Sequence, residues 1–563
     1  MDGYLRSFSG LKAAAGMIVS AIAFTAQPAH TAEKVVWDFG PFSRSLTVDA
    51  LEAYALDGTI DDDLAYYLRR LSPDRQTDVA TALTKTREPD VVKLSRWYYA
   101  PMGERTLLFL GNLFPTGARL NGQQAIRAAL IGAAAADNQT SLLEALHHYP
   151  TEVMRVDMDL LLRSTRQVID EADRTLAMVD VAKQISETAS GQNPLPDLSA
   201  LPDLTQLGPY SVRQMELSLQ DDTRKDPIFG GPRHYPATVF VPEDLTAISG
   251  KLPVMVISHG LSDSRSSFFD MASHVASYGF AVALPDHIGS NHDYREALFS
   301  GLTSDYFAAS DFLDRPLDIS FLLDELERAN PIQYQGKLDF EQVAIAGHSF
   351  GGYTALAVGG ATVDFARLVE RCDPDANIVL DGAMVLECRA LELMTQPEVV
   401  EQLGQTGVSD ERVQLVMAFA PVSNLFGERG ISQIQQPVMI QGGAFDILAP
   451  VVPQQVLAFS WLQAPEKYFY LAENTSHSPE FTNLTSRLFD LEQQFEQSIE
   501  EGLSVSRDLN KALMVAFGKV YLKGMSEFEP FLTAAYVEET SEAPFNFHLV
   551  REVPADLADL IEK

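Results

Sequence analysis

Gly347-His348-Ser349-Phe350-Gly351-Gly352 sets a serine in the spacing Gly-x-Ser-x-Gly. The apolar run Gln342-Val343-Ala344-Ile345-Ala346 leads into it, and Tyr353-Thr354-Ala355-Leu356-Ala357 leaves it. A predicted strand, a sharp turn and a predicted helix are the context that gives this motif meaning. The turn leaves no room for side chains at 347 and 351, and the serine itself must take up strain. Ser349 Oγ then projects past the strand end at a helix N-terminus, where the dipole favours developing negative charge. The chemistry this permits is nucleophilic attack on a carbonyl carbon. The competing reading is an ordinary strand–helix turn, and the matched flanks weigh against it.

A serine hydroxyl is a weak nucleophile until a base takes its proton. The order expected for such a turn is serine, then acid, then histidine. Only His477 and His548 follow Ser349 in the chain. His477 lies in the polar loop Glu473-Asn474-Thr475-Ser476-His477-Ser478, just past the run Tyr468–Leu471, and is assigned the base. His548 lacks that setting. The acid that orients the imidazole is assigned to Asp446, past the strand Pro437–Gln441. Asp381, in Val379-Leu380-Asp381-Gly382, stays open as a rival one strand earlier. Two backbone N–H groups must also face the tetrahedral oxyanion. Phe350 supplies one as the residue after the nucleophile. Leu261 is assigned the other, in His259-Gly260-Leu261 after the strand Val254–Ser258; His259 is read as an orienting group.

Asp286, His287, His292 and Asp293 share one loop and are metal-ligating types. Ligand types without geometry are weak evidence, so no metal is assigned. Phosphate-loop and dinucleotide fingerprints are absent, and no cofactor is expected. Asp plus Glu number 77 against 42 Lys plus Arg, a formal charge of -35. A field of that sign repels phosphate backbones, which excludes nucleic acid as a partner. The expected partner is a small-molecule ester or lipid substrate.

The elements that must position these residues occupy the C-terminal part. From about 209, short apolar runs alternate with helical stretches: Val212–Leu219, Ala237–Val241, Val254–Ser258, Phe280–Leu284, Val343–Ala346, Val413–Phe419, Val438–Gln441 and Tyr468–Leu471. This pattern predicts a mostly parallel eight-stranded sheet covered on both faces, its first two strands an antiparallel edge pair. Insertions are expected near 360–410, holding Cys372 and Cys388, and near 480–508, where Phe489, Leu491, Phe495 and Ile499 follow a helical pattern. Residues 33–165 read as a small all-α domain, with Ser72-Pro73 and Ser141-Leu142-Leu143-Glu144 as helix starts. Residues 166–208 read as a linker. Residues 1–32 read as an export signal: Arg6 and Lys12, the apolar Ala13–Ala26, then Ala29-His30-Thr31-Ala32 as a cleavage zone. The apolar run is too short for a permanent membrane helix, and no other segment reaches that length. Export to the periplasm or the extracellular space would let the two cysteines pair; two buried thiols are the alternative.

These residues together resemble the α/β-hydrolase superfamily. His259-Gly260, Gly347-His348-Ser349-Phe350-Gly351-Gly352, Asp446-Ile447-Leu448-Ala449-Pro450 and Ser476-His477 carry the resemblance, over roughly 209–563. The nearest likeness is to the dienelactone-hydrolase-like and platelet-activating-factor-acetylhydrolase-like branch. The segment His259–Phe268, with Asp446–Pro450, is also similar to bacterial cutinases and polyester hydrolases. Residues 33–165, beginning Val36-Trp37-Asp38-Phe39-Gly40-Pro41, resemble an N-terminal helical domain of unknown function found on cyanobacterial exported hydrolases. The resemblance implies an exported serine hydrolase of carboxylic esters. Ser349 departs from the cysteine of dienelactone hydrolases, and the acetylhydrolase branch places its acid nearer Asp381. A catalytically silent envelope adaptor, or an acyltransferase or peptidase on the same machinery, is the alternative.

Overall fold

The computed structural model describes residues 31–137, 140–373, 381–478, 499–542 and 545–552. Almost all of the expected export signal, and Phe489, Leu491 and Phe495 of the second insertion, lie outside the described residues. The chain divides into two compact units, one reaching to Tyr98 and including Thr106–Leu162, the other made of Tyr99–Arg105 and the residues from Arg163 on.

The first unit is helical, and it adds a small sheet. Strands β1 (Lys34–Phe39) and β2 (Phe42–Thr47) form an antiparallel hairpin across Gly40-Pro41, and β3 (Val153–Asp157) pairs parallel to β1. Gly40 takes φ 51° in the turn. The side chains of Thr47, Asp61, Ser72 and Ser141 each cap a helix, accepting from Ala50, Leu64, Arg75 and Glu144 N–H. Leu46, Leu51, Leu64, Leu68, Leu143 and Val156 are buried together at its centre.

In the second unit every one of the apolar runs is a strand: β4 (Val212–Lys225), β5 (Pro232–Pro242), β6 (Leu252–Ser258), β7 (Ala281–Pro285), β8 (Leu338–His348), β9 (Val413–Phe419), β10 (Val438–Gly443) and β11 (Lys467–Ala472). A ninth, β12 (Phe547–Val550), joins antiparallel to β11. The order is β12-β11-β10-β9-β8-β6-β7-β5-β4. Strands β7, β6, β8, β9, β10 and β11 run parallel, and β4 and β5 form the antiparallel edge. Alternation along each strand divides the core in two. Val254, Val256, Val343 and Ile345 face one apolar layer, with Leu322 of the helix Asp311–Gln333 and Leu356 of the helix Phe350–Val358. Met255, Ile257, Ala344 and Ala346 face the other, with Val275 of the helix Phe269–Ala276 and Leu513 of the helix Ile499–Lys523. Because both faces are covered, β6 is buried along its whole length.

The segment expected as a linker is helical over most of its length, since one helix runs from Met158 to Gln192. Its polar residues alternate with short apolar stretches rather than one broad stripe, which hid the period. In the first insertion Cys372 and Cys388 are joined in a disulfide.

Candidate active site

Parallel strands deliver their following loops to one edge of the sheet. Ser258, at the end of β6, pairs in register with Gly347 of β8, so the His259-Gly260-Leu261 loop and the Ser349 turn leave the sheet side by side. The turn is as tight as its composition demands. A Cβ on Gly347 would lie 2.0 Å from Gly351 O, and one on Gly351 would lie 2.0 Å from Ser258 O. Ser349 has φ 58° and ψ -118°, strained backbone for a residue with a side chain. Its N–H donates to Phe419 O at 2.9 Å, and its carbonyl accepts from Tyr353 and Val422 N–H, which anchors the strained unit on three sides.

Asp446 and His477 come from the loops after β10 and β11. Those loops are zipped together: Ala444 N–H donates to Ala472 O, and Phe445 N–H to Thr475 O. Asp446 Oδ1 accepts from Leu448 and Ala449 N–H at 2.9 and 2.8 Å. Its Oδ2 lies 2.7 Å from His477 Nδ1. A carboxylate only accepts, so Nδ1 carries the proton and Nε2 offers a lone pair. Nε2 lies 2.8 Å from Ser349 Oγ, the arrangement in which an imidazole removes the hydroxyl proton. His348 Nε2–H donates to the carbonyl oxygen of His477 at 2.9 Å. Burial, with the neighbouring His477 ring, pushes the His348 imidazole down to about 3, so it stays a neutral donor.

Phe350 is the first residue of its helix, so its N–H has no acceptor within that helix. Gly260 runs beside Ser349; a Cβ there would lie 3.5 Å from Ser349 Cβ. Its carbonyl accepts from His259 Nδ1–H at 2.8 Å and from Arg315 at 3.2 Å, and His259 Nε2 accepts from His287 N–H at 3.0 Å. His259 is fully buried and far below its ordinary pKa, owing to burial and then the Arg315 charge. Its ring bridges the Gly260 carbonyl and the His287 N–H.

Asp381 and His548 are not drawn into this cluster. Asp381 caps the helix Gly382–Glu387 through Ala383 and Met384 N–H and accepts from Gln454 Nε2 at 3.1 Å. His548 Nε2 pairs with Glu473 at 2.7 Å. The polar loop after β7 does not assemble as a metal set. Asp286 binds Arg265, His287 is buried, and His292 is half-exposed beside Asp293. Among the described residues no cluster of His, Cys, Asp or Glu is suited to a metal.

Sequence reasoning missed a second Ser-His-Asp chain beneath the first. His287 Nε2 lies 2.9 Å from Ser258 Oγ, and His287 Nδ1 lies 3.0 Å from Asp318 Oδ2. All three residues are fully buried, so this chain lies inside the fold, beneath the loop. Asp318 is gripped by Arg233 through two bonds of 2.7 Å. Burial alone would raise the Asp318 carboxyl; the Arg233 charge and its hydrogen bonds overcome this and hold it below the usual range. Asp311, Asp314, Arg315 and Asp318 stand at the i, i+3, i+4, i+7 spacing of a core face. Charged residues at that spacing were the available sign of a buried ionic network.

Residues 255–495 match the model of a family described as "Alpha/beta hydrolase family". Residues 31–157 match one described as "Alpha/beta hydrolase of unknown function (DUF1400)". No curated protein matches the chain. The nine-stranded sheet, the glycine-bounded serine turn and the family match agree: this chain carries an α/β-hydrolase domain.

Proposed function

We propose that the protein is an exported serine hydrolase that cleaves carboxylic esters, of short-chain or lipid type, through an acyl-enzyme. Ser349 Oγ attacks the ester carbonyl while His477 Nε2 takes its proton. Phe350 and Leu261 N–H groups receive the oxyanion. The tetrahedral intermediate collapses, His477 returns the proton to the alkoxide, and the alcohol leaves. Water, deprotonated by His477, then attacks the acyl-enzyme and releases the carboxylic acid. Asp446 holds the His477 tautomer and stabilises the imidazolium. No step calls for a cofactor.

The observation that carries this reading is the unbroken chain from Asp446 through His477 to Ser349, at 2.7 and 2.8 Å. Support for export comes from the pattern of residues 1–32 and from the Cys372–Cys388 disulfide, a bond that persists in oxidising compartments. Among the described residues, no helix is long and apolar enough to cross a membrane. Ser349 separates the chain from dienelactone hydrolases proper, and the use of Asp446 separates it from the acetylhydrolase placement of the acid. The test is Ser349→Ala. It abolishes p-nitrophenyl ester turnover and covalent fluorophosphonate labelling; labelling that persists in the variant overturns the assignment.

A further inference from the structure

Acidic residues outnumber basic ones 77 to 42. Lys519 and Lys523 are half-buried amines in this acidic chain. They stand one turn apart near the end of the helix Ile499–Lys523, and neither forms an ion pair or a hydrogen bond among the described residues. Instead both ammonium groups lie over the Phe280 ring, at 5.7 and 5.3 Å from its centroid, and Lys519 lies 5.7 Å from the Phe528 ring. Burial, with the like charge of Lys523, pulls the Lys519 amine down to about 8, and burial lowers Lys523 as well. A half-buried cation facing only rings recovers part of its lost hydration from them, on the order of 0.5–2 kcal/mol. An anion from outside would recover more.

Beside these amines lies a cleft of about 450 Å³, walled by Pro202, Pro209, Tyr210, Tyr278 and Phe528, with Lys519 in its lining. Small-molecule sites typically span about 300–1,000 Å³. Lys523 stands at its rim: a Cβ on Gly279 would lie 3.4 Å from the Tyr210 ring and 3.5 Å from Lys523 Nζ. The Tyr278 hydroxyl is committed to the carbonyl oxygens of Asp203 and Gln206, so its ring serves as wall. Asp203 also borders the cleft, but its Oδ1 accepts from Thr205 N–H and Oγ1 at 2.9 and 2.7 Å. Glu527 acts on Lys519 only through space. The cleft adjoins Phe280, at the amino end of β7, whereas the Ser349 loop lies beyond the carboxyl ends of the strands. The five residues of β7 span roughly 16 Å at the usual rise.

We propose that this cleft is a second, non-catalytic binding site for an organic monocarboxylate, its apolar body on the aromatic and proline walls and its head between Lys519 and Lys523. The lining fixes the class. Two ammonium groups suit one negative charge, and apolar walls reject a hydrophilic anion. Acyl-chain carboxylates fit, the same class that ester cleavage releases, although the site does not depend on Ser349 being a nucleophile.

The experiment is a calorimetric titration of the full-length Ser349→Ala protein with decanoate, with decanol as the uncharged control. The expected result is one saturable decanoate site, with decanol at least tenfold weaker. Lys519→Gln with Lys523→Gln weakens decanoate at least tenfold, and Lys519→Arg, which keeps the charge, retains binding. Affinity falls between pH 7 and pH 9 as Lys519 loses its proton. Wild-type protein blocked at the active site by a fluorophosphonate still binds. No saturable binding, equal binding of decanol, equal binding by the double glutamine variant with an unchanged melting curve, or loss of binding after the block each overturns the proposal.

Discussion

Arg315 Nη2 donates to the carbonyl oxygen of Gly260 at 3.2 Å. A trans peptide sets its C=O and N–H in opposite directions, so pinning this oxygen also aims the Leu261 N–H. The same guanidinium donates through Nη1 to His259 O and through Nε to Ser290 Oγ, both at 2.7 Å, and stacks 4.4 Å from the Phe350 ring centroid. One buried cation thus touches the peptide that carries one proposed oxyanion donor and the ring of the residue that carries the other.

Arg315→Met should therefore lower kcat about 100-fold, the scale of one lost oxyanion donor, and move KM by no more than a few-fold. Arg315→Lys, able to reach one carbonyl in place of several groups, should fall between. Steady-state kinetics on p-nitrophenyl butyrate decide it. A change confined to KM would mean that the arginine shapes substrate binding rather than the transition state.

Asp446 and Asp381 should separate cleanly. Asp446→Asn leaves His477 without its orienting acceptor and should cost about 10⁴ in kcat. Asp381→Asn alters a helix cap and a contact with Gln454, and kcat should stay within a few-fold of wild type. Equal losses in the two variants would return Asp381 to contention as the acid.

The eight apolar runs were legible because their length and β-branched content are those of buried strands, and the serine turn because glycine is required where Gly347 and Gly351 pack. Other features were hidden for physical reasons. β12 has four residues, too few for a period, and exists because β11 offers it an edge. The β1–β2 hairpin was signalled by Gly40-Pro41 between alternating residues, but the helical pattern downstream dominated the reading. Arg315 resembles any solvated helix cation until the helix is seen buried behind the sheet. The pairing of His548 with Glu473 is visible only once β11 and β12 are paired.

The Cys372–Cys388 bond closes a ring across a sequence separation of 16. Loop-closure entropy for that size stabilises the folded protein by about 3 kcal/mol. Reductant should lower the melting temperature of wild type and leave a Cys372→Ser, Cys388→Ser variant unchanged, which thermal scans with and without reductant will show.

His287 carries a pH signature. Burial pushes its imidazole down to about 4, against an ordinary value of 6.5. Between those values the unfolded chain holds the proton and the folded chain does not, so this histidine's contribution weakens as pH falls from 6.5 toward 4. The stability difference between wild type and His287→Gln should therefore rise by roughly 3 kcal/mol from pH 4 to pH 6.5 and level off above, at about 1.4 kcal/mol per unit. Urea unfolding of both proteins across that range measures it; a difference flat with pH would mean that the ring is already charged when folded.

The bond from His348 to the backbone of His477 ties the residue preceding Ser349 to the residue whose ring faces it. Thermal excursions of either loop are then shared by the other, and the Oγ–Nε2 separation is conserved while both drift. Alignment is prepaid during folding, leaving little rearrangement for an arriving molecule to induce.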